Sequence, residues 1–88
     1  MEFELELAAD EEIERALDLS WREVSRCIPW GDTYEGFTPG GRSAQFERSY
    51  IWAEGAGGDI LCEVAVYEDP SRFEQAARRR RIIPKTTI

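Results

Sequence analysis

Carboxylates are the side chains with which this chain could do chemistry, because the other common catalytic groups are nearly absent. The 88 residues include no histidine, one lysine (Lys85) and two cysteines. The commonest general base and the commonest metal ligand are therefore both missing. Asp32 and Glu35, in a segment rich in aromatic residues, are the acids best suited to a two-carboxylate hydrolase. A chain this short has little material for the cleft of such an enzyme, so we expect no catalytic residue, no metal site and no cofactor.

Charge is divided unequally along the chain. Residues 1–35 hold eleven acids against three arginines, residues 36–69 six acids against two arginines, and residues 70–88 one acid against six basic residues, which gives a net charge of −7. An acidic body with a basic C-terminal segment indicates a binding partner. Nucleic acids and membrane surfaces are anionic, so we expect neither direct nucleic-acid binding nor membrane binding.

The expected compartment is the cytoplasm. The N-terminal residues lack the basic region and the apolar run of a secretory signal, and no run reaches the ~18 apolar residues of a membrane span. Cys27 and Cys62 are interpreted as buried reduced thiols, with a disulfide as the alternative.

Periodicity predicts the elements that position these residues. Apolar residues alternate with glutamates over residues 2–7, which predicts a half-buried strand. Asp10 is a good N-cap, and apolar spacing from Ile13 onward predicts a helix that ends before Pro29. Residues 29–43 contain four glycines and two prolines and are expected to form a long loop that carries three aromatic rings. These rings either close the core or face a partner.

A hairpin from Ala44 to Asp69 is the strongest local prediction, because β-branched and aromatic runs flank a glycine cluster. A second helix is predicted from Asp69 and Pro70, followed by a short tail at residues 84–88. The expected fold is one α+β domain spanning residues 1–88, in the order β-α-β-β-α. Its three-stranded antiparallel sheet would have the order 1-3-2, with two helices packed on one face.

The acidic rows are the first candidate surface. Glutamates on the predicted strand would project at intervals of ~6.6 Å, and further acids extend along the predicted helix. Such rows can dock on arginine- and lysine-lined channels, or they can simply keep a small protein soluble. Aromatic residues of the loop would add apolar anchors. The predicted partner-binding residues are Glu2, Glu4, Glu6, Glu11, Glu14, Asp18, Trp30, Asp32, Tyr34 and Glu35.

Two further candidate surfaces follow from the predicted fold. Four arginines are expected in the last turn of the second helix, as a basic patch that either complements the helix C-terminus and the acidic body or contacts nucleic acid or an acidic partner. The second face of the sheet is apolar and would be covered either by another chain or by the long loop. The basic patch comprises Arg78, Arg79, Arg80 and Arg81, and the sheet face comprises Ile51, Leu61, Ala65 and Tyr67.

In size, charge and missing catalytic chemistry, the chain resembles the anti-CRISPR and anti-restriction inhibitors of phages and mobile elements. This resemblance implies a non-enzymatic protein that blocks a basic, nucleic-acid-binding surface of a larger protein or ribonucleoprotein complex. The alternative is a small structural or regulatory subunit that forms a homodimer through the exposed sheet face.

Overall fold

The fold is described by a computed structural model over residues 3–85, and it contains four strands and two α-helices. A short α-helix follows a longer one, and a 3₁₀ turn separates the last two strands. The elements are α1 (Phe3–Ala16), α2 (Trp21–Ser25), β1 (Trp30–Phe37), β2 (Ser43–Trp52), β3 (Ile60–Tyr67), the 3₁₀ turn (Pro70–Gln75) and β4 (Ala77–Ile83). The strands form one antiparallel sheet in the order β1-β2-β3-β4.

The prediction of a three-stranded sheet in the order 1-3-2 is therefore wrong, although the broad α+β class is correct. Each strand pairs with its neighbour in the chain, so the sheet is a simple meander. The predicted hairpin is present as β2 and β3, which pair from Gln45 and Tyr67 to Trp52 and Ile60. Its turn is closed by a hydrogen bond from the Ala53 amide to the Asp59 carbonyl.

A helix replaces the predicted N-terminal strand. Residues of α1 are buried at intervals of three and four, which is the spacing of a helical stripe and not of a strand. The buried set is Leu5, Ala8, Ala9, Glu12, Ile13 and Ala16. Phe3 and Leu7, which strand alternation would bury together with Leu5, are instead 60% and 37% exposed. Glu, Leu and Ala are strong helix formers, so the local preference supports the observed state.

The segment predicted as a loop at residues 29–43 contains strand β1. It pairs with β2 along its whole length, from Trp30 opposite Tyr50 to Phe37 opposite Ser43. A tight turn at residues 38–42 joins the two strands, and Gly41 adopts the positive φ of 90° that the turn requires. Glycines and acids are tolerated in β1 because it lies at the edge of the sheet and is mostly exposed.

The helix predicted after Asp69 is also wrong. Only the short 3₁₀ turn follows this residue, and the arginines belong to strand β4, which pairs with β3 from Ala77 opposite Val66 to Ile83 opposite Ile60. A strand points successive side chains to opposite faces, so the four arginines divide between the two faces of the sheet.

Both α-helices lie on one face of the sheet, called the inner face here. Its buried members come mainly from β2 and β3 and pack with the buried stripe of α1 and with Val24 of α2. They include Ala44, Phe46, Tyr50, Ile60, Cys62, Val64 and Val66. The opposite, outer face carries the intervening residues of each strand.

Candidate protein-binding surface

The solvent side of α1 combines exposed acids with exposed apolar side chains. Phe3 and Leu7 lie one turn apart, because residues four apart share a helix face. Exposed carboxylates surround them on the same helix. We call this set the α1 surface: Phe3, Glu6, Leu7, Asp10, Glu11 and Glu14. Exposed apolar side chains inside a polar rim are common in protein contacts, so we treat the α1 surface as the candidate binding surface.

Hydrogen bonds at both ends of α1 hold this surface on the sheet. Near its start, the Thr38 hydroxyl donates to a Glu4 carboxylate oxygen at 2.6 Å, which ties α1 to the β1–β2 turn. At its end, the buried Tyr50 hydroxyl donates to the Ala16 carbonyl at 2.8 Å. The helix is therefore fixed at both ends by groups from the sheet, and the α1 surface is presented on a rigid support.

An arginine from β4 neutralises one flank of the α1 surface. The Arg79 guanidinium lies 2.5 Å from an Asp10 carboxylate oxygen and 4.0 Å from one of Glu6. Glu11 is 3.6 Å from Arg15 on the other flank. Glu14 lies between these flanks and is exposed, so the negative potential of the helix is concentrated along its centre.

A buried ion pair lies under α1. The side chain of Glu12 is 1% exposed, and its two oxygens lie 2.7 Å from Arg15 Nη1 and 3.3 Å from Arg48 Nε. The Arg48 guanidinium sits 5.3 Å from the ring centres of both Trp30 and Tyr34, which is within the range of a cation–π contact. This cluster joins α1, β1 and β2.

The same cluster explains the titration of Tyr34. Burial, together with the neighbouring Glu12 carboxylate, raises the pKa of Tyr34 from 10 to about 12. An anion on the phenol would lose water and face a second anion, so the hydroxyl stays protonated at neutral pH. Tyr34 therefore acts as an uncharged cover for the ion pair and not as an acid–base group.

The structure divides the predicted partner-binding residues among several places. Glu6, Glu11, Glu14 and Asp18 are exposed, the first three on α1 and the last just after it. Glu4 is engaged with Thr38. The predicted row of strand glutamates does not exist, since Glu4 and Glu6 are helical and Glu2 lies outside the described residues.

The aromatic and acidic residues of β1 are divided between the two faces of the sheet. Trp30, Asp32 and Tyr34 face inward, and the two rings pack against the core through Tyr50 and Phe46. Glu35 lies on the outer face, where it accepts a hydrogen bond from Ser43. Asp32 and Glu35 are thus on opposite faces of the sheet, and the two-carboxylate site considered from the sequence is not formed.

The predicted apolar sheet face is only partly open. Ile51, Leu61, Ala65 and Tyr67 all lie on the outer face, as expected from the hairpin register. However, Ala65 and Tyr67 are each only 6% exposed, so they offer little surface to a partner. The Tyr67 hydroxyl donates to Glu47 at 2.7 Å across the face. Ile51 is 38% exposed and remains accessible.

The basic patch is also divided. Arg78 and Arg80 lie on the outer face and Arg79 and Arg81 on the inner side. Arg80 is paired with Glu63 at 3.1 Å, and Arg79 with α1. The four guanidinium groups therefore form no single basic patch, and those of Arg79 and Arg80 balance acids of the same domain.

Phe3, Leu7 and Arg48 are the functional candidates that sequence reasoning missed. The signal for the first two was present: Phe3, Leu7, Asp10 and Glu14 recur at intervals of three and four, as one helix face requires. Alternation over six residues masked it. Arg48 gave no signal, because its role depends on residues from two other elements.

Residues 3–85 were compared with the requirements of a metal site and of a membrane-spanning helix. No cluster of three or more cysteines and acids within this part of the chain could hold a metal ion. Neither of its α-helices has the length and apolar character needed to cross a membrane. Both cysteines are free, Cys62 buried and Cys27 exposed, so the expectation of two buried thiols is wrong for Cys27.

Comparisons with protein-family models, curated proteins and solved structures give no match to this chain.

Proposed function

We propose that this chain is a small, non-enzymatic inhibitor that binds a larger protein or ribonucleoprotein complex and blocks its basic, nucleic-acid-binding surface. The observation that carries the proposal is the α1 surface, where Phe3 and Leu7 stand exposed among four exposed acids. The source would be a phage or a mobile element, and the compartment the cytoplasm.

Charge supports the choice of partner. A nucleic-acid-binding channel is lined with lysine and arginine, and an acidic helix is attracted to it over a distance comparable to the Debye length. The protein has a net charge of −7, and most acids of α1 point to solvent. Complementary charges accelerate the association of two proteins. Salt screens this attraction, so an association rate that falls as salt rises is the expected signature.

The exposed apolar side chains of α1 favour a surface that binds a protein over one that is only solvated. A charged rim contributes mainly to the rate of association, whereas affinity comes from large side chains buried at the centre of an interface. Phe3 and Leu7 lie along the midline of the α1 surface, between its two acidic flanks. Trp30 and Tyr34, the anchors expected from the sequence, are packed against Arg48 and the core and are less suited to this role.

The test has two stages. Tagged protein is first used to recover complexes from a bacterial lysate at low and moderate salt, with identification by mass spectrometry. The recovered complex is then purified, and displacement of its nucleic acid by this protein is followed by fluorescence anisotropy. We expect competition that weakens as salt rises. A complex that retains its nucleic acid at saturating protein would contradict the proposal.

Matched variants assign the contact to α1. Glu14→Lys and Glu54→Lys change the net charge equally, but Glu54 lies in the β2–β3 turn, away from the α1 surface. We expect Glu14→Lys to weaken binding about fivefold at low salt and Glu54→Lys less than about twofold. Leu7→Gln should weaken it at least about tenfold at every salt concentration, because its contribution is apolar. Equal losses for the two lysine variants would instead indicate an effect of net charge alone.

A further inference from the structure

The middle of the outer sheet face is electrically balanced, unlike the rest of this acidic protein. Two rows of paired residues cross the four strands there, and each row contains one carboxylate and one guanidinium. The first row is Gly31, Ser49, Glu63 and Arg80, and the second is Thr33, Glu47, Ala65 and Arg78. Together they surround a shallow depression of about 280 Å³.

An apolar row borders this balanced region. Ile51, Leu61 and Ile82 are paired across β2, β3 and β4, one row closer to the β2–β3 turn. Ile51 is 38% and Ile82 50% exposed, so the row is open to solvent. Both α-helices lie on the inner face, and the outer face offers apolar and paired charged groups side by side.

We propose that this outer face is the contact between two copies of the chain, related by a two-fold axis that runs parallel to the strands. Two copies that each carry a net charge of −7 repel one another. The balanced rows are where this repulsion is weakest. A basic partner would instead be attracted to the acidic helix on the other side, so a second copy is the occupant that this face fits best.

The rows are complementary to themselves under that symmetry. The axis places β4 of one copy over β1 of the other, and β2 over β3, while the position along the strands is kept. In the first row, Arg80 then faces Gly31, and Glu63 faces Ser49. In the second row, Arg78 faces Thr33, and Glu47 faces Ala65. Every long charged side chain thus meets a small one, and in the apolar row Ile51 of each copy faces Leu61 of the other.

Size and desolvation set the expected strength. Four strands ~4.8 Å apart and eight residues of ~3.3 Å give roughly 500 Å² per copy, or about 1,000 Å² in total, which is near the lower limit for a specific interface. The Glu63–Arg80 contact at 3.1 Å and the Tyr67–Glu47 hydrogen bond already pair charged groups within one copy. The dimer should accordingly be weak and dependent on concentration.

Sedimentation equilibrium from micromolar to millimolar protein, at low and high salt and with a reducing agent, tests this proposal. We expect a monomer–dimer equilibrium that tightens as salt screens the repulsion between copies. Ile51→Gln should raise the dissociation constant at least about tenfold, and Leu7→Gln on the opposite side should leave it unchanged. A wild type that is monomeric throughout, or a dimer that is disrupted by Leu7→Gln and not by Ile51→Gln, would overturn the proposal.

Gly31→Val provides a second, independent variant. A Cβ atom at Gly31 would lie 3.6 Å from the Arg48 carbonyl and 3.8 Å from the Ser49 Cβ, which are ordinary contacts. The monomer should therefore fold normally, as checked by circular dichroism and thermal melting. In the dimer the added methyl groups would occupy the space of the partner's Arg80, so the dissociation constant should again rise at least about tenfold. A folded Gly31→Val protein that dimerises like the wild type would contradict the proposed axis.

Discussion

The Nε atom of Arg48 lies 3.3 Å from the Oε2 atom of Glu12, and this contact joins β2 to α1 inside the protein. Neither atom has a hydrogen bond within the described part of the chain, because the approach is close but poorly aligned. The pair is stabilised instead by Arg15 on the other Glu12 oxygen and by the Trp30 and Tyr34 rings beside Arg48. An ion pair in this position is costly to disrupt from one side.

Arg48→Met should lower the free energy of unfolding by about 2–4 kcal/mol, because it leaves the buried Glu12 carboxylate with Arg15 alone. The matched control is Arg80→Met, which removes a surface ion pair with Glu63. The two side chains are 66% and 40% exposed, so this loss should cost less than about 1 kcal/mol. Urea denaturation of the three proteins gives the comparison. Equal losses would mean that the buried contact with Arg48 contributes nothing beyond a surface ion pair.

Alkaline pH should destabilise the fold over a defined range. Burial raises the pKa of Cys62 to about 11 and the pKa values of Tyr34 and Tyr50 to about 12, above their ordinary values of 9 and 10. The folded protein therefore holds more protons than the unfolded chain between pH 9 and 12. Stability is complete below this range and falls as pH rises through it.

Two measurements check this pH dependence. Chemical denaturation at a series of pH values should show the free energy of unfolding decreasing from pH 9 upward, and Tyr50→Phe should flatten the decrease above pH 10. Tyrosinate absorbance should titrate above pH 10 in the folded protein and near pH 10 in denaturant. Identical titrations in the two states would contradict the burial of these phenols.

Gly40→Ala should weaken the attachment of α1 to the β1–β2 turn. A Cβ atom at Gly40 would lie 2.5 Å from a Glu4 carboxylate oxygen, so the Glu4 side chain must move and release Thr38. The expected loss is about 1 kcal/mol, the value of one hydrogen bond. Gly55→Ala is the control, because no atom lies within 4 Å of its added Cβ. Thermal melting should show no loss of stability for Gly55→Ala. A similar loss for both variants would contradict a specific role of the Glu4–Thr38 hydrogen bond.

Arg79→Gln should strengthen the negative potential of the α1 surface. This arginine belongs to β4 and neutralises the Asp10 and Glu6 carboxylates of α1. Without it, both carboxylates are free to attract a basic partner. If the proposed function is correct, association with the recovered complex should be several-fold faster at low salt and unchanged at high salt. Stopped-flow fluorescence measures the rate. A slower association would show that Arg79 itself contacts the partner.

The hairpin was predictable because its signal is local. Glycines between two β-branched runs indicate a turn whatever the tertiary structure around them. The structure contains the expected pair of strands, β2 and β3. The other two strands depend on their neighbours. β1 is an exposed edge strand with two glycines, and only the β2 template makes it a strand. The arginines of β4 are typical of a helix end, and their partners Glu63 and Asp10 are distant in sequence.

The candidate site was predictable in composition but not in arrangement. The acids of α1 were identified, yet a strand was expected where six residues happened to alternate. The helix can be distinguished from a strand only when the helical spacing of the buried residues is followed as far as Ala16. The Glu12–Arg48 pair could not be predicted at all, because no pattern in the sequence relates two charges that lie on different elements.

In the sequence, α1 comes before the strands on which it packs. It contacts β3 and β4, the last strands of the meander. At ~5–20 residues per second, translation separates α1 from the end of β4 by roughly 3–13 seconds. Until then its apolar stripe lacks the complete sheet that covers it. Six of its fourteen residues are acidic, so the negative charge of this segment opposes contact with anionic ribosomal RNA while the strands are being synthesised.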